Sequence, residues 1–125
     1  MHKSHEVSPT NALAMIQKGE GVLIDIREPK EVANKSFDVS NIKLIPLTEL
    51  KTRFHEIPGD RPVIIACHSG SRSFMATRFL INHGYTQALN LQQGIVRWEK
   101  EGLPVKHAPK QQSGSLLRRF FIGKS

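Results

Sequence analysis

The segment spanning residues 63–76 constrains the fold of this chain more than any other. Its first part, Val63–Ala66, is a continuous apolar run, which is typical of a strand buried on both faces of a parallel sheet. Small and polar residues follow. After them, an apolar stripe recurs at helical spacing, at Met75, Ala76, Phe79 and Leu80, and we expect this stripe to belong to the core. The segment therefore predicts a buried strand, a short polar loop and a helix in direct succession.

The only cysteine of the chain, Cys67, comes directly after that strand. Ligands of open α/β sheets bind at the carboxyl ends of strands. A helix that begins just after the loop aims its free N–H groups and the positive end of its dipole at the sulfur. Such surroundings lower the pKa of a thiol from about 8.5 to as low as roughly 3.5–7.5. We therefore expect a nucleophilic thiolate in an anion-binding loop; the alternative is a buried, inert cysteine.

Length and cysteine content narrow the class of protein. A chain of 125 residues suits one domain, and a single cysteine forms no intrachain disulfide. The first residues, 1–6, have no apolar core of the kind that a signal peptide needs. No apolar run approaches the ~20 residues that span a bilayer. We expect a cytoplasmic protein that does not cross the membrane.

The positive charge is concentrated at the end of the chain. Of the net charge of +7, five units belong to residues 106–125, which contain no acidic residue. The positive and negative charges of residues 1–105 nearly balance, which argues against a nucleic-acid-binding domain. We predict a domain over residues 1–105 and a basic tail over 106–125. We expect that tail to be mobile or packed on its own domain; the alternative is that it contacts a protein or an anionic membrane through its apolar cluster at 116–122.

Strands and helices alternate along the domain. Strands are predicted at 22–26, 44–45, 63–66 and 87–91, and helices at 9–18, 28–32, 48–55, 71–83 and 94–100. Residues 34–43 show no clear period and predict an irregular surface loop. This alternation indicates an α/β fold with a central parallel β-sheet flanked by helices on both faces.

The candidate site is the cysteine loop, defined here as Cys67–Ser73. Its members are Cys67, His68, Ser69, Gly70, Ser71, Arg72 and Ser73. Small residues leave room for backbone N–H groups to converge on an anion. Arg72 either binds an oxyanion or ties the loop to a carboxylate, and His68 either acts on the thiol or faces solvent.

A neighbouring strand end carries two further candidates, Asp25 and Arg27. We expect them to form a structural ion pair that supports the site. The histidines show no ligand spacing, so we expect neither a metal nor another cofactor.

Several short segments, in their order along the chain, resemble the single-domain rhodaneses. They are Asp25–Glu28, Ile45–Leu47, Cys67–Ser73, Gly94 with Trp98, and Gly102–Pro104. The resemblance covers roughly residues 6–105 and implies the rhodanese three-layer fold. It also implies a sulfurtransferase: a donor such as thiosulfate leaves its outer sulfur on Cys67 as a persulfide. A thiophilic acceptor (cyanide, a thiol or a protein thiol) then removes that sulfur.

The spacing from Cys67 to Arg72 helps to choose among related activities. Phosphatases of similar fold resemble this pattern but place the arginine one residue further away. Without a second cysteine, the persulfide must discharge to an acceptor outside the chain. The alternatives are a non-catalytic interaction module, a persulfide carrier fed by a protein donor, and a phosphatase or arsenate reductase.

The chain departs from the family pattern in two places. Residues 34–42 lack the usual Gly-His-Ile segment, and Gln93-Gly94 stands where a glycine pair is usual. The first departure affects a loop near the site and, with it, the choice of substrate.

Overall fold

Two of the most apolar segments, Val22–Asp25 and Val63–Ala66, pair as neighbouring parallel strands at the centre of the fold. The computed structural model describes residues 4–109. Its strands are β1 (Glu6–Val7), β2 (Val22–Asp25), β3 (Lys35–Phe37), β4 (Ile42–Leu44), β5 (Val63–Ala66), β6 (Ala88–Leu91) and β7 (Val105–His107). Its helices are α1 (Pro9–Gln17), α2 (Pro29–Asn34), α3 (Leu50–Arg53), α4 (Ser71–Asn82) and α5 (Gly94–Lys100).

The main sheet has five strands in the order β1-β6-β5-β2-β4, and every neighbouring pair is parallel. Strand β5 therefore lies in the middle, between β6 and β2. Its carboxyl end is the point from which the cysteine loop departs. The cysteine loop was predicted to follow the carboxyl end of a buried parallel strand, and this position is confirmed.

Apolar side chains cover both faces of this sheet. On one face, Leu23 and Ile64 pack with residues of α1 and α5, including Ile16 and Trp98. On the other face, the alternate residues of the same strands pack with α3 and α4; they include Ile24, Ile65, Leu50 and Leu80. Burial on both faces explains why these strands read as continuous apolar runs. The predicted architecture, a parallel sheet between two helical layers, is confirmed.

The prediction of an irregular loop over residues 34–43 is wrong. Strand β3 pairs antiparallel with β7, and β4 pairs with β2 at one edge of the main sheet. Phe37 of β3 is buried against Trp98, with the ring centroids 5.1 Å apart in an edge-to-face arrangement. The stabilising partners of β3 come from the far end of the domain, so local periodicity did not reveal the strand.

Most predicted helices are present, with shifted ends. The hydroxyl of Ser8 accepts a hydrogen bond from the N–H of Asn11 at 3.3 Å and caps α1 as expected. The helix predicted over 48–55 is instead one α-helical turn, α3, between two 3₁₀ turns.

In α4, Ala76 and Leu80 face the core, whereas Met75 is 65% exposed. The prediction that Met75 belongs to the core is therefore wrong.

The end of the domain includes a strand that the sequence did not predict. Strand β7 crosses the predicted boundary between residues 105 and 106, and the N–H of Ala108 donates to the carbonyl of Asn34 at 2.8 Å. Residues 110–125, which contain most of the predicted tail, lie outside the described residues. Between residues 4 and 109, the structure contains no helix that is long and apolar enough to span a membrane.

Candidate active site

Cys67 lies directly after the middle strand of the sheet, and it is fully buried. The strand before it is held on both sides by β2 and β6. The N–H of Ile26 extends the pairing by donating to the carbonyl of Ala66 at 3.0 Å. The backbone that enters the cysteine loop is therefore fixed by the sheet.

Backbone N–H groups of the cysteine loop point at the sulfur. The N–H of Gly70 donates to Cys67 Sγ at 3.1 Å, and the N–H of Ser73 donates to it at 3.3 Å. Gly70 has a φ of 100°, which favours glycine and turns the chain back into α4. Donors of this kind favour an anionic sulfur over a neutral thiol. The loop thus has the shape predicted for an anion-binding turn at the start of a helix.

The hydroxyl of Ser73 is the nearest side-chain polar group to the sulfur. Its oxygen lies 3.3 Å from Cys67 Sγ, 3.2 Å from the carbonyl oxygen of Gly70 and 2.5 Å from Asn90 Oδ1. The amide of Asn90 in turn donates to the carboxylate of Glu6, at 3.1 Å to Oε1. Neither Asn90 nor Glu6 was predicted from the sequence, because they reach the site from strands β6 and β1.

The first residues of helix α5 hold the cysteine loop through hydrogen bonds to its backbone carbonyls. The N–H groups of Ile95 and Val96 donate to the carbonyl oxygens of Cys67 and His68, at 3.0 and 3.1 Å. A side chain on Gly94 would collide with these same two carbonyl oxygens. Gly94 was part of the family pattern. Its close approach to the loop explains why a glycine is needed at this position.

Arg72 forms a two-pronged ion pair with Glu31 of helix α2. Its two terminal nitrogens lie 2.8 and 2.9 Å from the carboxylate oxygens, and both side chains are about one-third exposed. This hydrogen bonding is the main reason that the pKa of Glu31 falls to about 2. The pKa of Arg72 is raised, first by Glu31 and also by the charge of the Cys67 thiolate. Of the two roles considered for Arg72, the structure displays the tie to a carboxylate, within electrostatic reach of the sulfur.

Asp25 and Arg27 form a buried ion pair at the end of β2. Arg27 donates to both carboxylate oxygens of Asp25, at 2.8 and 3.1 Å. The same guanidinium donates to the carbonyl of Lys35 at 2.9 Å and lies over the ring of Phe37. These contacts link β2 to the small β3–β7 sheet, as expected of a structural pair that supports the neighbouring site.

The remaining loop side chains point outward. His68, Ser69 and Ser71 are exposed, and Ser69 and Ser71 border a cleft of about 700 Å³ beside the loop. We call this the side cleft; its lining includes Glu6, Asn90, Gln93 and Arg97. The exposed large apolar side chains of the described residues are Phe74 and Met75 of α4 and Val96 of α5.

No group in the described part of the chain has the composition of a metal centre. Three or more His, Cys, Asp or Glu side chains do not come together anywhere between residues 4 and 109.

Comparisons with known proteins agree on one family. A family model described as a rhodanese-like domain matches residues 8–101. A sulfurtransferase from Allochromatium vinosum is 40% identical over 84 residues, which are 67% of this chain and 77% of that protein. The thiosulfate sulfurtransferase GlpE from Actinobacillus pleuropneumoniae is 30% identical over 108 residues, with 82% of this chain and 94% of that protein covered.

A solved structure has the same fold. The crystal structure of a rhodanese-related protein from Thermoplasma volcanium matches with a TM-score of 0.73 at 26% identity. The match covers 82% of this chain and 97% of that chain.

Proposed function

The chain belongs to the rhodanese-like domain family, and we propose that it is a sulfurtransferase that carries sulfane sulfur on Cys67. The observation behind the proposal is the placement of the only cysteine. Its sulfur lies at the end of the middle strand and accepts hydrogen bonds from two backbone N–H groups. This arrangement favours the thiolate, which is the nucleophilic form of cysteine.

In the first half-reaction, the Cys67 thiolate attacks the outer sulfur of a donor such as thiosulfate. A bond forms between Sγ and that outer sulfur, and the sulfur–sulfur bond of the donor breaks. Sulfite leaves with the electron pair, so that charge is conserved and Cys67 carries a persulfide anion. Because Cys67 is fully buried, the donor reaches Sγ only when side chains over the loop move aside.

In the second half-reaction, the nucleophile of an acceptor (the carbon of cyanide or the thiolate sulfur of a thiol) attacks the outer sulfur of the persulfide. That sulfur moves to the acceptor, and Cys67 is released as a thiolate. The chain contains no second cysteine that could take the sulfur. The acceptor is therefore a separate molecule: cyanide in an assay, or a thiol or protein thiol in the cell.

Arg72 is our candidate for recognition of the donor's sulfonate group. Glu31 occupies one edge of the guanidinium and fixes its orientation. An arginine has five N–H donors, so this bond leaves others for an oxyanion. Arg72 thus has both roles that were considered for it. The carboxylate of Glu31 orients its side chain, and its remaining N–H groups bind the sulfonate.

A persulfide carrier that serves protein partners is the second candidate. The observation that favours it is that three exposed large apolar side chains, Phe74, Met75 and Val96, belong to α4 and α5, the two helices that contact the cysteine loop. An inorganic anion gains little from such a surface, whereas a protein that approaches the loop buries it.

The first prediction concerns the covalent intermediate. Incubation with thiosulfate is expected to increase the mass of the intact protein by one sulfur atom and to release one sulfite. The gain should be absent in Cys67→Ser and in wild-type protein alkylated beforehand. No mass gain with any sulfane donor would contradict the proposal and favour a non-catalytic interaction module.

A comparison of rates separates the enzyme from the carrier. Steady turnover of thiosulfate with cyanide supports the enzyme. Slow turnover of thiosulfate, together with rapid delivery of sulfur from loaded Cys67 to a protein thiol, supports the carrier.

A further inference from the structure

The hydroxyl of Ser73 has one proton and three acceptors within reach. Asn90 Oδ1 is at 2.5 Å, the Gly70 carbonyl oxygen at 3.2 Å and Cys67 Sγ at 3.3 Å. The contact with Asn90 has the length of a strong O–H···O hydrogen bond, the contact with Gly70 is long for one, and the distance to the larger sulfur atom is ordinary for either direction of bonding. The proton of Ser73 is therefore directed towards Asn90 and away from the sulfur.

The orientation of the Asn90 amide is determined by Glu6. The carboxylate oxygens of Glu6 lie 3.1 and 3.4 Å from Asn90 Nδ2. An ionised carboxylate only accepts hydrogen bonds, so the amide nitrogen must face Glu6. The amide oxygen then faces Ser73. Asn90 is 5% exposed, and a flip would leave buried polar groups without partners.

We propose that Glu6 and Asn90 are positioning residues that make the Ser73 hydroxyl accept a hydrogen bond from the Cys67 thiol. With its proton on Asn90, the hydroxyl presents a lone pair to Sγ. It stabilises the neutral thiol by accepting S–H, and it offers no donor to the thiolate. The thiolate then depends on the backbone N–H groups of Gly70 and Ser73.

The value of this arrangement for sulfur transfer depends on the proposed function. A thiolate that is less strongly stabilised is the better nucleophile. Excluding a hydroxyl donor from the sulfur therefore preserves its reactivity towards a donor. The orientation of the hydroxyl itself is independent of which reaction the site performs.

Other titratable groups lie in or beside the cysteine loop. They are Arg72 and the exposed His68 of the loop, Glu31 of α2, which pairs with Arg72, and the Asp25–Arg27 pair at the end of β2. All of them stay unchanged in the variants below, so that differences between variants report on the network of Glu6, Asn90 and Ser73.

The test is the pH dependence of alkylation of Cys67 by iodoacetamide, measured on the full chain. Ser73→Ala keeps the backbone N–H but removes the oxygen that accepts S–H. We expect the midpoint of its alkylation profile to fall by roughly half to one pH unit, the equivalent of one hydrogen bond. If the hydroxyl instead donates to the sulfur, the midpoint rises. A midpoint that rises or stays unchanged overturns the proposal.

Two variants, Glu6→Ala and Glu6→Gln, separate two effects of Glu6 on the alkylation midpoint: its orientation of the Asn90 amide and its negative charge. Glu6→Ala releases the Asn90 amide and lets the hydroxyl turn towards the thiolate, so the midpoint is expected to fall. Glu6→Gln loses the same charge but keeps an oxygen that can accept from Asn90, so its midpoint should fall by less than that of Glu6→Ala. Equal shifts in both variants would mean that charge alone acts, and the proposal would fail.

The two proposals fail independently. If wild-type protein gains no sulfur from any donor, the proposed function fails, and the alkylation profiles still decide the orientation of Ser73. If the profiles contradict that orientation, the persulfide remains testable by mass.

Discussion

At the scale of single residues, Gln93 and Gly94 both adopt the left-handed backbone conformation, with φ of 60° and 56°. Only Gly94 is pressed against the loop, where a side chain would collide with the carbonyls of Cys67 and His68. Gln93 borders the side cleft, and it is the one non-glycine residue with positive φ among those described. The same conformation therefore has different consequences at the two positions.

The second prediction contrasts these neighbours. Gln93→Gly should raise the free energy of unfolding by about 0.5–1 kcal/mol, because relief of the left-handed strain exceeds the entropic cost of glycine. Gly94→Ala should lower it by at least about 2 kcal/mol and slow sulfur transfer, because strain and collision act together on the loop. Urea denaturation and a thiosulfate assay measure both effects.

Gly19→Ala serves as the control for strain alone. Gly19 has a φ of 76°, and a side chain there meets nothing within 4 Å. A loss in Gly94→Ala no larger than in Gly19→Ala would contradict the role of the contact with the loop.

At the scale of elements, the pair of Glu31 and Arg72 ties helix α2 to the first turn of helix α4. Helix α2 has only six residues and buries none of them. This ion pair is therefore among its principal attachments to the site. Its strength depends on pH, because the pKa of Glu31 is about 2 in the folded protein and 4.5 ordinarily.

The third prediction follows from the sign of that shift. A carboxyl group with a lowered pKa stabilises the folded state above pH 4.5, and the contribution is lost as the pH falls towards 2. Glu31→Gln should therefore lower the free energy of unfolding at pH 7 by up to about 1 kcal/mol, since solvent screens this pair, whose side chains are about one-third exposed. At pH 3 the difference from wild type should be clearly smaller.

Glu20→Gln is a matched control for this experiment. Glu20 is exposed and takes part in none of the ion pairs of the described residues. Urea denaturation at the two pH values gives the comparison. A loss for Glu31→Gln that is the same at pH 3 and pH 7 would contradict the assigned pKa.

At the scale of the whole molecule, two apolar cores share one sheet. Trp98, the only tryptophan, lies in the core on one face, whereas Cys67 belongs to the core on the other. Strand β5 contributes side chains to both, because its residues alternate between the faces. Neither core is expected to survive the loss of the other.

The fourth prediction is a single cooperative unfolding transition. Trp98 fluorescence reports on one core, and the second-derivative absorbance of Tyr85, the only tyrosine, reports on the other. The two midpoints should coincide, as expected for a small domain with shared strands. A Tyr85 transition at clearly lower urea than the fluorescence change would show that the two cores separate.

The sequence predicted structure that forms between residues close together in the chain, but not contacts between residues far apart in it. The strand, loop and helix around Cys67 are contiguous, so local patterns were sufficient to predict them. Strand β3 was missed because its partner, β7, lies at the other end of the domain. The bond between Arg72 and Glu31 joins residues 41 positions apart, and that between Asn90 and Glu6 spans 84. Such pairs depend on the assembled sheet, which no local period encodes.

The support that helix α5 gives to the loop has a consequence for the chain during its synthesis. Cys67 leaves the ribosome before Ile95 and Val96, whose N–H groups hold the carbonyls of Cys67 and His68 in the finished fold. Until those residues arrive, the loop lacks the two hydrogen bonds that helix α5 supplies. The finished loop can therefore form only after most of the domain has been synthesised, and a chain truncated before residue 95 should lack it.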